Sequence, residues 1–152
     1  MFRGIQALNI DEKGRMAIPN RYRQQLLEEA HGEIIVTIDT EQPCLLMYPL
    51  PLWEEIEEKI AKLPSFHPVT RRVQRLLMGH AMEIEMDSHG RILLPAELRD
   101  YAAIEKTVML VGQGKKFEIW DEALWKQSRD EWIGQGLGAT EELPEELREL
   151  AL

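Results

Sequence analysis

The sequence contains a single cysteine, Cys44, so no disulfide can close within the chain, and a reducing cytoplasm is its expected home. No stretch approaches the ~20 consecutive apolar residues needed to cross a bilayer, which excludes a membrane-spanning helix. The opening MFRGIQALNIDEKG lacks an apolar h-region, so no signal peptide is expected. Enzyme signatures are missing too: there is no P-loop, no G-x-G-x-x-G and no G-x-S-x-G. His31, His67, His80 and His89 are scattered, without H-x-x-x-H spacing or a cysteine partner, so neither a metal nor another cofactor is expected. Carboxylates are plentiful, but nothing in their spacing places two in one pocket. The expectation is that the chain is not an enzyme.

What is present is the composition of a folded protein. The 152 residues are 44% apolar and 30% charged, too apolar for disorder. A chain of that length buries about 68–70% of its unfolded surface. Net charge is −9, which taken alone argues against nucleic acid. The charge is unevenly placed. Residues 1–25 carry Arg3, Lys13, Arg15, Arg21 and Arg23 against Asp11 and Glu12. Residues 139–152 carry Glu141, Glu142, Glu145, Glu146 and Glu149 against Arg148 alone. A local field, not the global sum, decides which partner approaches.

The chain repeats itself. Asp11-Glu12-Lys13-Gly14-Arg15-Met16-Ala17-Ile18-Pro19 matches Asp87-Ser88-His89-Gly90-Arg91-Ile92-Leu93-Leu94-Pro95 at an offset of 76, with the shared pattern D-x-x-G-R-φ-φ-φ-P, φ being apolar. Arg23 then matches Arg99, and Leu45–Trp53 aligns with Phe117–Trp125 at an offset of 72. The expected division is a first repeat with its closing helix at 1–60, a helical connector at 61–80, a second repeat with its closing helix at 81–134, and an acidic helix at 139–152.

Each copy reads as β-turn-β-α-β-β-α. Met82, Ile84 and Met86 alternate with Glu83 and Glu85, the period of a half-buried strand, and Leu8 and Ile10 hold the matching places in the first copy. Asp followed by a Gly-containing turn and a second apolar run marks a hairpin. Pro19 and Pro95 precede short helices at Asn20–Glu29 and Ala96–Tyr101. Strands follow at Ile34–Ile38 and Cys44–Tyr48, and at Val108–Val111 and Phe117–Trp120, and helices close the copies at Pro51–Leu63 and Asp121–Trp132. Four short strands and one short helix bury too little to stand alone. The two copies are therefore expected to share one core, in a mainly β chain with attached helices (α+β).

The turn is where chemistry is expected. Asp and Arg stand four apart around a tight reversal for which Gly supplies the backbone freedom. On one reading the Asp orders the loop and fixes a displayed guanidinium. Arg reads guanine O6 and N7 with two bonds, worth ~1–3 kcal/mol of discrimination, and β-structure can carry it into the major groove. On the other reading this is a turn with a local ion pair worth ~0–1 kcal/mol. Duplication favours the first, because symmetric half-sites on DNA are met by symmetric protein.

The motif D-x-x-G-R-φ-φ-φ-P followed by a short helix resembles the SpoVT/AbrB swapped-hairpin family of transcription factors. Two tandem copies, the opening Met1-Phe2-Arg3-Gly4 and a closing helix per copy are similar to its duplicated members. The resemblance implies a swapped-hairpin double barrel in which the repeats interleave, and a ring-shaped homo-oligomer. It implies binding of double-stranded DNA at repeated sites upstream of the division and cell-wall gene cluster, with repression of that cluster and of the protein's own gene, at the nucleoid. Its Asp/Arg pairs fall on Asp11 with Arg15 and on Asp87 with Arg91.

The expected DNA-contacting residues are Arg15, Lys13, Arg3, Arg21, Arg23 and Arg91, and the loop-ordering ones Asp11, Gly14, Asp87 and Gly90. The first turn holds Lys13 and is followed by Arg21, where the second holds His89 and is followed by Glu97. The first is therefore expected to make the stronger DNA contact, the second to serve more in oligomer packing. Arg71, Arg72 and Arg75 of the connector can touch phosphate, pair with a neighbour or be solvated. Cys44 and Met78, Met82 and Met86 are expected in the core, and Trp53, Trp120, Trp125 and Trp132 under the closing helices. The acidic tail reads as an amphipathic helix through Leu143, Leu147 and Leu150. A rival from another class is an antitoxin-like or protein-interaction module that binds a partner protein.

Overall fold

The computed structural model describes residues 1–136 and 143–150. The first copy runs β1 (Ile5–Asn9), β2 (Arg15–Ala17), α1 (Asn20–Ala30), β3 (Glu33–Ile38), β4 (Leu45–Pro49) and α2 (Leu50–Ala61). A connector follows, with α3 (Pro68–Val73) continued by a π-helical turn at Gln74–Met78. The second copy runs β5 (Met82–Glu85), β6 (Arg91–Leu93), α4 (Ala96–Tyr101), β7 (Thr107–Gly112), β8 (Phe117–Asp121) and α5 (Glu122–Gln135), and α6 (Glu145–Arg148) lies near the end. The order β-turn-β-α-β-β-α expected from the repeat is therefore present in each copy. Pro19 and Pro95 stand just before α1 and α4, where a missing N–H costs no helical bond. Helix α1 ends in a left-handed His31 (φ 54°), with the N–H of His31 and of Gly32 returning to the carbonyls of Leu27 and Leu26.

The two copies are interleaved. A six-stranded sheet runs β1-β7-β8-β4-β3-β5, and a two-stranded ribbon pairs β2 with β6. The first strand of each copy thus pairs with the third strand of the other: Ile5–Asn9 lie against Val111–Thr107, and Met82–Glu85 against Val36–Glu33, both antiparallel. Neither copy closes a core without its sibling. The shared core takes Met16, Ile18, Ile34, Val36 and Leu45 from the first copy and Ile92, Leu94, Val108, Leu110 and Phe117 from the second. Phe2, Tyr22 and Phe117 stack at one end, with ring centroids 4.3 to 5.9 Å apart.

Strands β3 and β4 are buried on both faces. Ile34, Val36 and Ile38 face the shared core, while Ile35, Leu46 and Tyr48 form a second cluster with Trp53 of α2. Double burial explains why these strands read as unbroken apolar runs, not as alternation. Thr37, fully buried, satisfies its hydroxyl by donating to the Leu77 carbonyl at 2.7 Å. Cys44 and Met86 are buried, as expected.

One expectation is corrected. Met82 is 45% exposed, because it opens the short edge strand β5, where the core face runs out; Ile84, two residues on, is buried. Of the acidic helix expected over 139–152, which lies partly outside the described residues, the structure describes one turn, Glu145–Arg148. Pro144 sets its start, since proline disfavours helical backbone in the residue before it. Residues 137–142 and 151–152 lie outside the described residues. The chain divides into two units, Met1–Glu122 and Ala123–Leu152. In the second, Trp125 and Trp132 meet edge to face at 6.1 Å along α5. No helix among the described residues is long and apolar enough to cross a membrane.

Candidate nucleic-acid interface

The two Asp–Arg turns have the same geometry. In the first, Asp11 Oδ1 accepts the backbone N–H of Lys13 (3.0 Å) and of Arg15 (2.8 Å), and Oδ2 accepts Arg15 Nε (2.8 Å). In the second, Asp87 Oδ1 accepts the N–H of His89 (2.8 Å) and of Arg91 (2.9 Å), and Oδ2 accepts Arg91 Nε (3.1 Å). Gly14 (φ 92°) and Gly90 (φ 75°) make the reversal in a region that other residues avoid. Their N–H groups donate to the carbonyls of Asp11 and Asp87 at 3.0 Å. Both carboxyls are held below the usual carboxylate range, first by the backbone N–H of the arginine that closes the turn and further by its guanidinium.

Each Asp thus spends one oxygen on the Arg Nε and leaves the terminal nitrogens of its Arg unengaged among the described residues. Those nitrogens form the flat two-donor edge that matches guanine or a phosphate. The side chains of Arg15 and Arg91 are 36% and 39% exposed, neither sealed inward nor free to wander.

Ribbon register puts both on one face. Arg15 pairs with Leu93, Met16 with Ile92, and Ala17 with Arg91. Met16 and Ile92 point into the core at 1% exposure each, so the odd-numbered residues of the ribbon all point outward. Arg15 and Arg91 are diagonal neighbours there, about 7–8 Å apart at the backbone. The turns also brace each other across the copies. Ile18 N–H donates to the Gly90 carbonyl (2.8 Å) and Leu94 N–H to the Gly14 carbonyl (2.9 Å).

The other expected contacts separate into different places. Lys13 lies exposed in the first turn. Arg23 donates from Nε to the Ile18 carbonyl of its own copy (2.5 Å), and its guanidinium covers Gly90 of the opposite copy. Arg99 does the same in the second copy, donating to the Leu94 carbonyl (3.0 Å) and covering Gly14. Bracing the turn is therefore a role of Arg23, and Arg99 belongs beside it. The shared offset of these two arginines from the turn was the sequence signal for the pair.

Arg3 and Arg21 are not part of the ribbon face. They sit together at the other end of β1, where Arg21 lies 4.7 Å over the Tyr22 ring and beside Gly4, and the Tyr22 hydroxyl donates to the Arg3 carbonyl. This leaves Lys13 against His89 as the charge difference between the turns. Arg71, Arg72 and Arg75 are exposed on the connector, and no carboxylate among the described residues pairs with them. Asp39, Cys44 and Glu118 bring their polar atoms within 4.8 Å of one another. The Cys44 thiol contacts Asp39 Oδ2 at 3.7 Å, and burial pushes its ionisation far up, so it is a protonated core thiol.

Comparison with known proteins agrees with the duplication. A family model described as "MraZ protein, putative antitoxin-like" matches twice, at residues 1–76 and 77–142. Proteins called "Transcriptional regulator MraZ" from Coxiella burnetii, Halorhodospira halophila and Legionella pneumophila are 54%, 53% and 51% identical to this chain over 152 residues, covering all of each sequence. A doubled turn, strands exchanged between the copies and these full-length matches lead to one conclusion: the chain belongs to the MraZ family.

Proposed function

We propose that this chain is a sequence-specific DNA-binding transcriptional regulator. The observation that carries the reading is the pair of Asp-clamped arginines on one outward face of the β2–β6 ribbon. The relatives bear a regulator's name, not an enzyme's. In the mechanism, the ribbon enters the major groove and Arg15 and Arg91 read base edges. Lys13 holds phosphate beside the first turn. Arg3 and Arg21 reach phosphate at a separate patch, or on DNA held by a neighbouring subunit. Arg23 acts mainly through the turn it braces. Each phosphate neutralised adds ~0.9 to the salt slope.

One chain of charge −9 makes few contacts and repels DNA elsewhere. The functional unit is therefore a homo-oligomer, a ring presenting several ribbons to repeated sites, which gains ~10²–10⁴ from effective concentration. Its sites lie upstream of its own gene and of the division and cell-wall cluster, which it represses, in the cytoplasm at the nucleoid. The repeats at 1–60 and 81–134 supply the ribbon, and 61–80 links them. DNase footprinting of the purified protein across the region upstream of its own gene tests this: spaced protected repeats are expected, and uniform or absent protection refutes it. A second reading, an antitoxin-like module that binds a partner protein, draws on the family's description. Co-purification of a stoichiometric partner in place of DNA would favour it.

A further inference from the structure

The outward face of the ribbon carries two side chains besides its arginines. Leu93 stands opposite Arg15, and Ala17 stands opposite Arg91. Leu93 is 51% exposed. It does not serve the core, which the ribbon supplies through Met16 and Ile92. Nor does the fold need bulk at this point, because the equivalent position of the other copy is Ala17. A large aliphatic side chain thus lies opposite Arg15 and two residues along the strand from Arg91, on the face that would meet base edges.

We infer that Leu93 is a specificity-determining residue that contacts the C5 methyl of a thymine in the major groove, next to the base read by Arg15. The inference rests on the DNA-binding reading above. In that groove guanine, adenine and cytosine offer donors and acceptors, and thymine alone adds a methyl group. A leucine gains there only from that methyl. Ala17 has three fewer side-chain carbons and makes no equivalent contact beside Arg91. The two halves of the ribbon therefore read different sequences, despite their matched turns. The preferred site is directional: a thymine is required in one half and not in the other.

Uracil in place of thymine removes the methyl and nothing else. Synthetic duplexes carrying the footprinted repeats, with each thymine of one repeat replaced in turn by uracil, are titrated by fluorescence anisotropy at fixed salt. Wild type should lose about fourfold in affinity at one thymine, the worth of one buried methyl. Leu93→Ala should bind the thymine and uracil duplexes equally, with unchanged melting temperature and oligomer size. Ala17→Leu should create discrimination at a second position. Indifference of the wild type to every replacement, or undiminished discrimination by Leu93→Ala, overturns the role of Leu93 alone. So does a change of oligomer size in Leu93→Ala, which would make Leu93 a subunit contact. Binding no tighter than to a scrambled duplex overturns the DNA reading itself.

Discussion

Arg23 of the first copy lies across Gly90 of the second, so close that a Cβ built at position 90 would meet its Nε and sit 2.5 Å from its Cζ. Arg99 covers Gly14 in the same way, with Nε 2.7 Å from the corresponding position. Each Asp–Arg turn is thus covered by an arginine from the opposite repeat. Backbone hydrogen bonds from Ile18 to Gly90 and from Leu94 to Gly14 tie the two turns together.

Replacing Gly90 with Ala should therefore destabilise the protein. A non-glycine residue at positive φ costs about 1–2 kcal/mol before the collision with Arg23 is counted. At about 2–4 °C per kcal/mol for a chain of this size, the melting temperature should fall by roughly 2–8 °C from that strain alone. An unchanged melting curve would mean that Arg23 moves aside freely and braces nothing.

Loss of Arg15 should cost more DNA affinity than loss of Arg91. On the proposed reading each would remove a bidentate contact worth ~1–3 kcal/mol per site, and Lys13 adds positive charge beside Arg15. Gel-shift titrations of Arg15→Ala and Arg91→Ala at one salt concentration, with oligomer size checked by light scattering, decide this. Equal losses would assign the turns equal duty, as their matched geometry allows.

The turn should depend on pH only in acid. Asp11 and Asp87 are held below their ordinary value of 3.8 in the folded chain, so their ionised form favours folding. That contribution is present above the unfolded value and is lost as pH falls through the folded one. Asp11→Asn should therefore be less stable than wild type in denaturant titrations at pH 7, and the gap should close below pH 3.8. A gap that is constant with pH would trace the loss to something other than the carboxylate.

Cys44 is fully buried, and its ionisation is pushed up by burial and by the neighbouring Glu118 and Asp39 carboxylates. Thiol reagents act on the exposed thiolate. The folded protein should not react with an aromatic disulfide at pH 8 and should react stoichiometrically once denatured. Rapid reaction without denaturant would contradict the packing of β4 against β8.

Much of this fold is legible in the residues. Punctuation by Asp, Gly and Pro marks both hairpins, and alternation in Met82–Met86 marks β5. Strand exchange between the copies follows from the family resemblance and not from periodicity, because alternation says which face is buried and not which strand lies alongside. The exposure of Met82 depends on where β5 lies in the sheet, which no local pattern encodes. The site is legible in the same uneven way. Asp11 with Arg15 and Asp87 with Arg91 share a short loop, so spacing alone pairs them. Arg3, Arg21 and Arg23 lie near Arg15 in sequence and in separate places in space, since β1 carries Arg3 away and Arg23 turns to the other copy. Leu93 is one of three apolar positions in the repeated motif, which does not set it apart; its register against Arg15 places it on the outward face of the ribbon.

The central claim is that the clamped guanidinium groups of the ribbon read DNA. Its most direct test is a footprint of the upstream region with wild type and with the double variant Arg15→Ala, Arg91→Ala, at equal oligomer concentration and salt. The account predicts spaced protection by wild type and none by the double variant. Protection of the same repeats by both proteins would contradict it.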